Sequence, residues 1–194
     1  MPIQVNLGQR RSAIAHATLR VAARGGLREV TIRAVAAELG GSTTFITNYL
    51  PTRTALLINA LQEIEQEWLS ELEPELTDAD PAAGLRRAMR SAVEWDSEEL
   101  LRCQFWVAVL AVPDRDADVD RHLLESTSAV RDIFAKLADQ CGHPDPETAA
   151  DVLMLVAQGS FVSIVETPDL WDQARLLAAA DAAVDAVLAA ATAS

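Results

Sequence analysis

Hydroxyl and amide side chains are concentrated on one side of a short segment near the N-terminus. The segment 43–50 has an apolar side, which carries Phe45, Ile46 and Tyr49, and an opposite polar side. The polar side consists of Thr43, Thr44, Thr47 and Asn48. Such side chains donate and accept hydrogen bonds at base edges and phosphates. A solvated helix face has the same composition, so the pattern alone leaves both interpretations open.

Helix signals on either side of this segment indicate how it is positioned. Thr31 can cap a preceding helix whose apolar residues recur at three- and four-residue spacing, and Gly40 ends that helix. Ser42 stands where the next cap belongs, and Pro51 closes the second helix. The apolar residues of the first helix are Ile32, Val35, Ala36 and Leu39. Residues 31–57 are therefore predicted to form a helix, a tight turn, a second helix and the start of a third.

The distribution of charge favours a phosphate-facing surface in this part of the chain. Residues 1–56 contain seven arginines and two glutamates, a net charge of +5. The whole chain of 194 residues has 16 basic and 29 acidic residues, so the remainder has nine basic and 27 acidic residues, or −18. An acidic chain that keeps its positive charge beside two short helices fits a nucleic-acid-binding module.

Residues from about 10 to 57 resemble the DNA-binding region of TetR-family transcriptional regulators. The family's T-x-x-x-[IV]-A-x-x-x-G helix corresponds to TIRAVAAELG, and its G-V-S turn corresponds to GGS. Its recognition helix ending in Y-x-H-F corresponds to TTFITNYL, and its [PS]-[ST]-K-x-x-L start corresponds to PTRTALL. The chain departs from the family pattern at Gly41, Thr47, Tyr49, Leu50 and Arg53.

The resemblance implies a role in DNA binding for individual residues of this segment. The recognition helix would enter the major groove, and Arg53, Thr31 and Arg33 would contact the DNA backbone. Arg10 and Arg11 would either reach DNA as a basic arm or belong to a disordered charged terminus. The implied DNA-binding residues are Thr31, Arg33, Ser42, Thr43, Thr44, Thr47, Asn48, Tyr49 and Arg53.

The remainder of the chain predicts an all-α fold. Prolines and glycines separate Ala-rich apolar segments, and no strand or repeat is evident, so about nine helices are expected in total. The predicted domains are a three-helix DNA-binding head at residues 1–53 and a helical regulatory body at residues 54–194. Residues 1–11 lack the apolar region of a signal peptide, and no apolar run is long enough to cross a membrane. A cytoplasmic protein without membrane contact is expected.

Catalytic, cofactor and metal motifs do not stand out in the sequence. Two cysteines, Cys103 and Cys141, do not form a disulfide framework. Cys141, His143 and Asp145 lack the spacing of a zinc site. The expectation is therefore a protein that is not an enzyme and has no cofactor or metal.

Two apolar stripes near the C-terminus predict an association surface. In the TetR family the last two helices form the dimer interface, which implies a homodimer here. The stripes could instead face the core of a single chain. The predicted interface consists of Leu153, Ala157, Ser160, Ile164, Leu177, Ala180, Val184, Val187 and Leu188.

Aromatic and soft apolar residues are spread over the middle of the body. They either line a pocket for a small-molecule effector or form a solid core, and the family resemblance favours the pocket. The effector's identity does not follow from the sequence. The predicted pocket residues are Trp68, Met89, Trp95, Cys103, Trp106, Leu110, His122, Phe134, Met154 and Phe161.

Together these features predict a ligand-responsive regulator that binds double-stranded DNA. The expected protein is a homodimeric repressor released from a pseudo-palindromic operator by a small molecule. Two alternatives remain at this point. One is a helical regulator controlled by a partner protein, and the other is a helical binding protein without DNA function.

Overall fold

The computed structural model describes residues 7–77 and 80–192, and within these ranges the chain is all-helical. Nine α-helices occur there, with a single 3-10 turn at Leu27–Glu29 and no strand. This confirms the predicted all-α class. The helices are α1 Leu7–Gly25, α2 Ile32–Glu38, α3 Thr43–Thr47, α4 Arg53–Thr77, α5 Pro81–Ser91, α6 Ser97–Leu110, α7 Ala117–Gln140, α8 Pro146–Glu166 and α9 Gln173–Thr192.

Aspartate caps and prolines mark the start of the body helices. The Asp80 carboxylate accepts a hydrogen bond from the Ala83 amide at 3.2 Å, and Pro81 occupies the first turn of α5. Asp145 caps α8 in the same way, with Pro146 in its first turn. Proline suits this position because its missing N–H would have no partner in the helix anyway. Pro74 differs, since α4 continues past it to Thr77.

The first compact unit comprises the described residues of Met1–Glu67 together with Leu100–Leu123. Its apolar core draws on the helices around the predicted turn and on α6 and the start of α7. Ile14, Val35 and Ile46 are each completely buried in this core. Helices of five and seven residues, such as α3 and α2, are not stable alone. The burial of these side chains against α1 therefore holds both short helices in place.

This unit extends beyond the predicted domain boundary after residue 53. The first half of α4 contributes Leu56 and Leu61 to the core, and α6 contributes Phe105. The apolar face of α4 thus continues the core of the helices before it. Because α4 continues without a break past Glu67, where the unit ends, the sequence there has no linker that would mark the boundary.

The second compact unit comprises the described residues of Trp68–Glu99 and Leu124–Ser194. Its core contains Met89, Phe134 and Leu153, which are completely buried. Ion pairs join α5 to α9 at the edge of this core: Arg86 lies 2.6 Å from Asp185, and Arg90 lies 3.3 Å from Asp181.

One described helix, α8, is long and apolar enough to cross a membrane when only length and composition are considered, which corrects the expectation that no apolar segment has that length. Part of this apolar character has a structural use, since Ala149, Leu153 and Ala157 lie in the core of the second unit. The other side of α8 exposes Val152, Leu155 and Val162. Packing in the core of the second unit does not account for this exposed apolar stripe.

Candidate nucleic-acid interface

The turn between α2 and α3 is closed by main-chain hydrogen bonds. Gly40 adopts a left-handed conformation with φ of 64°. The Gly41 amide donates to the Ala36 carbonyl at 2.9 Å, which satisfies an acceptor at the end of α2. Glycine tolerates this conformation without the steric cost that a Cβ atom brings. The predicted helix end at Gly40 is therefore confirmed.

Hydroxyl side chains cap the helices at this surface. The Thr31 hydroxyl oxygen accepts from the Ala34 amide at 3.1 Å, and the Ser42 hydroxyl oxygen accepts from the Phe45 amide at 3.3 Å. Thr52 accepts from the Ala55 amide at 3.0 Å at the start of α4. Each of these hydroxyls keeps its own proton for donation, and all three residues are exposed.

The outer face of α3 is polar and exposed, as its sequence pattern predicts. Thr43, Thr44, Thr47 and Asn48 are all exposed, whereas Ile46 is completely buried on the opposite side. The Thr47 hydroxyl donates to the Thr44 carbonyl at 3.4 Å, so that hydroxyl is partly engaged by its own helix. The face offers three threonine hydroxyls and one carboxamide to an external partner.

The inner face of α3 is braced from α1 by Arg10. The Arg10 guanidinium donates a hydrogen bond to the Tyr49 hydroxyl. It also lies 5.6 Å from the ring centres of both Phe45 and Tyr49, within the range of cation–π attraction. The two rings meet edge to face at 5.9 Å. Tyr49, predicted to contact DNA, thus has its hydroxyl engaged within the unit.

The basic residues near the N-terminus are part of α1 and do not form a free arm. Arg10 and Arg11 both lie within Leu7–Gly25. Arg11 donates to the Asn59 side chain at 2.9 Å, and Asn59 returns a hydrogen bond to the Arg11 carbonyl at 2.8 Å. The expectation of an arm or a disordered terminus is therefore wrong for these two arginines, whose contacts link α1 to α3 and α4.

Arg53 points its guanidinium at the main chain of its own unit. Its Nε donates to the Val30 carbonyl at 3.1 Å, and its Nη2 donates to the Leu27 carbonyl at 2.6 Å. The sequence predicted a contact between this residue and the DNA backbone. The structure gives Arg53 the role of a brace between the start of α4 and the turn before α2.

Arg33 makes no hydrogen bond or ion pair within the described residues, and it is exposed.

Two further arginines of this unit, Arg20 and Arg24, share the carboxylate of Glu38. Arg24 donates to Glu38, and Arg20 lies 2.7 Å from the same carboxylate. These hydrogen bonds, from Arg24 first and then Arg20, lower the pKa of Glu38 from 4.5 to about 2. The pairs fasten α1 to the end of α2. Arg28 and Arg33 are exposed as well and add positive charge to this surface.

The predicted pocket residues divide between the two compact units. Cys103, Trp106, Leu110 and His122 belong to the first unit, and Leu110 is 43% exposed. The second unit holds the other six residues, which are Trp68, Met89, Trp95, Phe134, Met154 and Phe161. Within the second unit, Met89, Phe134 and Met154 are buried core residues. Trp95 and Phe161 form a tilted ring pair at 6.5 Å.

The predicted dimer stripe faces inward. Leu153, Ala157 and Ser160 of α8 are buried, as are Ala180, Val184 and Val187 of α9. These six side chains pack within the second unit and are not available to a second copy. Ile164, Leu177 and Leu188 are partly buried. The alternative that the stripes face the chain's own core is therefore the correct one for the six buried residues.

Three potential metal ligands meet in the first unit, although the sequence predicted none. Ligand atoms of His16, Glu63 and Glu67 all lie within 4.8 Å of one another. His16 comes from α1 and the two glutamates from α4, so more than 45 residues separate them in the chain. The four-residue spacing of the glutamates was the only local sign, and it is common on solvated helices.

Comparison by sequence and by structure gives different results. No protein-family model and no curated protein matches the sequence. Solved structures do match over nearly the whole chain. A transcriptional regulator from Rhodococcus sp. Rha1 superposes with a TM-score of 0.84 at 22% identity, covering 93% of this chain and 97% of its own.

Two further solved structures have the same fold. A TetR transcription regulator from Haloarcula marismortui matches with a TM-score of 0.77 at 20% identity, covering 96% of this chain and 98% of its own. A Saccharomonospora viridis protein solved in complex with choline matches with a TM-score of 0.80 at 18% identity, covering 92% and 96%. The chain therefore has the all-α fold of TetR-family transcriptional regulators, as the residues around its helix-turn-helix predicted.

Proposed function

We propose that the protein is a DNA-binding transcriptional regulator that reads the major groove with α3. The observation that carries this proposal is the exposed polar face of a short helix held rigidly from behind. Asn48 and the three threonines of α3 point outward, and Ile46 and the Arg10 contacts fix the helix against α1. Base readout requires this combination, because a mobile helix would lose binding free energy on being ordered.

Contacts to DNA phosphates supply the affinity in this proposal. The exposed hydroxyls of Thr31, Ser42 and Thr52 can donate to phosphate oxygens, and Arg33 adds a positive charge. Backbone contacts of this kind position a protein on the duplex, while side chains in the groove select the sequence. Arg53 acts indirectly, by holding the turn before α2 in place.

A homodimer would present two recognition helices to one DNA site. The exposed side of α8 carries Val152, Leu155, Gly159 and Val162 at alternating three- and four-residue spacing. The exposed side of α9 carries alanines at Ala178, Ala182, Ala186 and Ala189. Two copies can pack these sides as a four-helix bundle, since the small residues permit close approach. The proposed interface thus lies on the outer sides of the helices that the sequence identified.

Such a dimer would bind a pseudo-palindrome whose half-sites are about 34–36 Å apart. We further propose that a small organic effector releases it, which makes the protein a repressor. The choline complex of the Saccharomonospora viridis protein supports this, because it places a small molecule in a protein of the same fold. Within the second unit, the partly exposed Trp95–Phe161 pair offers an aromatic surface suited to a ligand.

Binding to the DNA flanking the protein's own gene tests this function. Fluorescence anisotropy over a range of salt concentrations should give salt-sensitive binding that is stronger than binding to a shuffled duplex. A variant carrying Thr47→Ala and Asn48→Ala should lose that preference and keep the salt dependence. The exposed Thr167→Ala variant, which alters a threonine after α8, is the matched control. Equal binding of both duplexes by the wild-type protein would contradict sequence-specific regulation through this DNA.

A further inference from the structure

We propose that His16, Glu63 and Glu67 form a binding site for a divalent transition-metal ion of the Zn²⁺ class, which ties α1 to α4. The three side chains are partly buried, and their ligand atoms lie within 4.8 Å of one another. An imidazole nitrogen with two carboxylate oxygens is a donor set that Zn²⁺ and its neighbours accept. All three residues belong to the first compact unit, and metal binding there does not require DNA binding.

Local geometry brings the three donors to one point. Glu63 and Glu67 are four residues apart on α4, so their carboxylates lie on the same side of the helix. His16 faces them from α1, with its Nε2 atom 3.0 Å from Glu67 Oε1. Ligand atoms bound to one zinc ion are roughly 3.4 Å apart, given bonds of about 2.1 Å in tetrahedral geometry. The existing positions therefore need only side-chain rotations to close around an ion.

The negative charges of Glu63 and Glu67 favour the binding of a cation at this point. Glu67 has one carboxylate oxygen 2.8 Å from Arg102 and the other beside His16. Glu63 makes no hydrogen bond or ion pair in the part of the chain that the structure describes, although it is only partly exposed. Two carboxylates at this separation repel each other, and Arg102 offsets the charge of one of them. A divalent ion would offset the second and engage Glu63.

A second histidine–glutamate pair in the same unit shows what distinguishes the proposed site. His122 Nε2 lies 3.0 Å from Glu65 Oε1, the same separation as in the His16–Glu67 pair. No third ligand meets that pair among the described residues, whereas Glu63 meets the first. The extra carboxylate at position 63 is the feature that a simple ion pair does not require.

Three protein ligands would leave at least one coordination position for water, as in open zinc sites. Binding of the ion is expected to strengthen the contact between α1 and α4. Closing α1 onto α4 would stabilise the unit that carries the helix-turn-helix, because an ion that binds only the folded form raises the unfolding temperature.

Titration of the metal-free full-length protein with Co²⁺ and Zn²⁺ tests the site. Calorimetry should give one equivalent of Zn²⁺ for each chain. Co²⁺ should produce a visible d–d band without thiolate charge transfer. Glu63→Gln and His16→Asn should each lower the affinity by at least about tenfold, since even outer-shell changes cost about 10–100-fold.

Matched controls on the same chain keep the test specific. Glu71→Gln makes the same charge change on an exposed residue of α4, and His143→Asn removes a partly exposed histidine outside the site. Both controls should bind the metal as the wild type does. Zn²⁺ should also raise the unfolding temperature of the wild type and of Glu71→Gln, but not that of Glu63→Gln.

Several results would overturn the proposal. One is the absence of one-equivalent binding to the wild type, which would leave His16–Glu67 as an ordinary ion pair. Another is binding that is unchanged in Glu63→Gln. A third is a thiolate absorption band with Co²⁺, which would place the metal at a cysteine.

Discussion

Replacement of Arg53 separates its role as a brace from a role as a phosphate contact. Its guanidinium donates to the Val30 carbonyl at 3.1 Å and to the Leu27 carbonyl at 2.6 Å. Both acceptors belong to the turn before α2, and Val30 is completely buried. Arg53→Ala would remove both donors, whereas Arg53→Lys would keep the charge but lose the two-pronged geometry.

The size of the effect follows from the two hydrogen bonds. A hydrogen bond from a charged donor contributes about 1.5–3 kcal/mol when buried. Because Arg53 is exposed, we take about 1 kcal/mol for each, or about 2 kcal/mol in total for Arg53→Ala. For a chain of this size that corresponds to a fall in the unfolding temperature of roughly 4–8 °C. Arg53→Lys should lose more than half of this stability despite its unchanged charge.

Thermal unfolding and salt-dependent DNA binding together form the assay. Arg53→Ala should weaken DNA binding without changing the slope of log affinity against log salt concentration. Arg33→Ala is the matched control, since Arg33 is exposed and makes no polar contact in the described residues. Its removal should reduce the slope by about one unit for each subunit while leaving the unfolding temperature unchanged.

The opposite pattern would refute this reasoning. If Arg53→Ala unfolds at the wild-type temperature and reduces the salt slope as Arg33→Ala does, Arg53 contacts DNA directly. Full function of Arg53→Lys with an unchanged unfolding temperature would likewise show that charge, and not geometry, is what this position supplies.

Three further predictions follow from exposure and charge. Leu155→Glu should convert a dimer to a monomer in light scattering. Leu124→Glu is the control and should remain a dimer, since Leu124 is 68% exposed and Leu155 is 70% exposed. If both variants remain dimers, the outer side of α8 is not the interface. The pKa of Glu38 is lowered to about 2 in the folded chain, so its stabilising effect is complete above about pH 4.5 and is lost as the pH falls towards 2. The stability difference between the wild type and Glu38→Gln in urea unfolding should shrink over that interval, and a constant difference would contradict the pairing. Burial raises the pKa of Cys103 to about 12. A thiol reagent should therefore modify the partly exposed Cys141 first and Cys103 only on unfolding. Equal rates of modification of the two cysteines would contradict the burial of Cys103.

Local patterns allowed the sequence to predict the helix-turn-helix. Thr31, Gly40 and Ser42 act through their own neighbours, by capping a helix or by adopting a left-handed conformation. Ile46 and its polar neighbours likewise follow from helical periodicity alone. The fold class and the exposed face of α3 could therefore be predicted before any tertiary contact was known.

Features that depend on tertiary contacts could not be predicted in this way. Periodicity shows that Leu153 and Ala157 share a side of α8, but not whether that side meets the same chain or a second copy. Nothing near Arg53 in sequence indicates that the Leu27 and Val30 carbonyls lie within its reach. The His16, Glu63 and Glu67 cluster is invisible for the same reason, since α1 and α4 meet only after folding.

Selection of bound duplexes from random double-stranded DNA tests the central claim most directly. The full-length wild-type protein should enrich a pseudo-palindrome with two equal half-sites. The Thr47→Ala, Asn48→Ala double variant should enrich a different or degenerate half-site with the same spacing, because only the α3 face has changed. Enrichment of no motif, or of a motif that this double variant leaves unaltered, would contradict DNA recognition by α3.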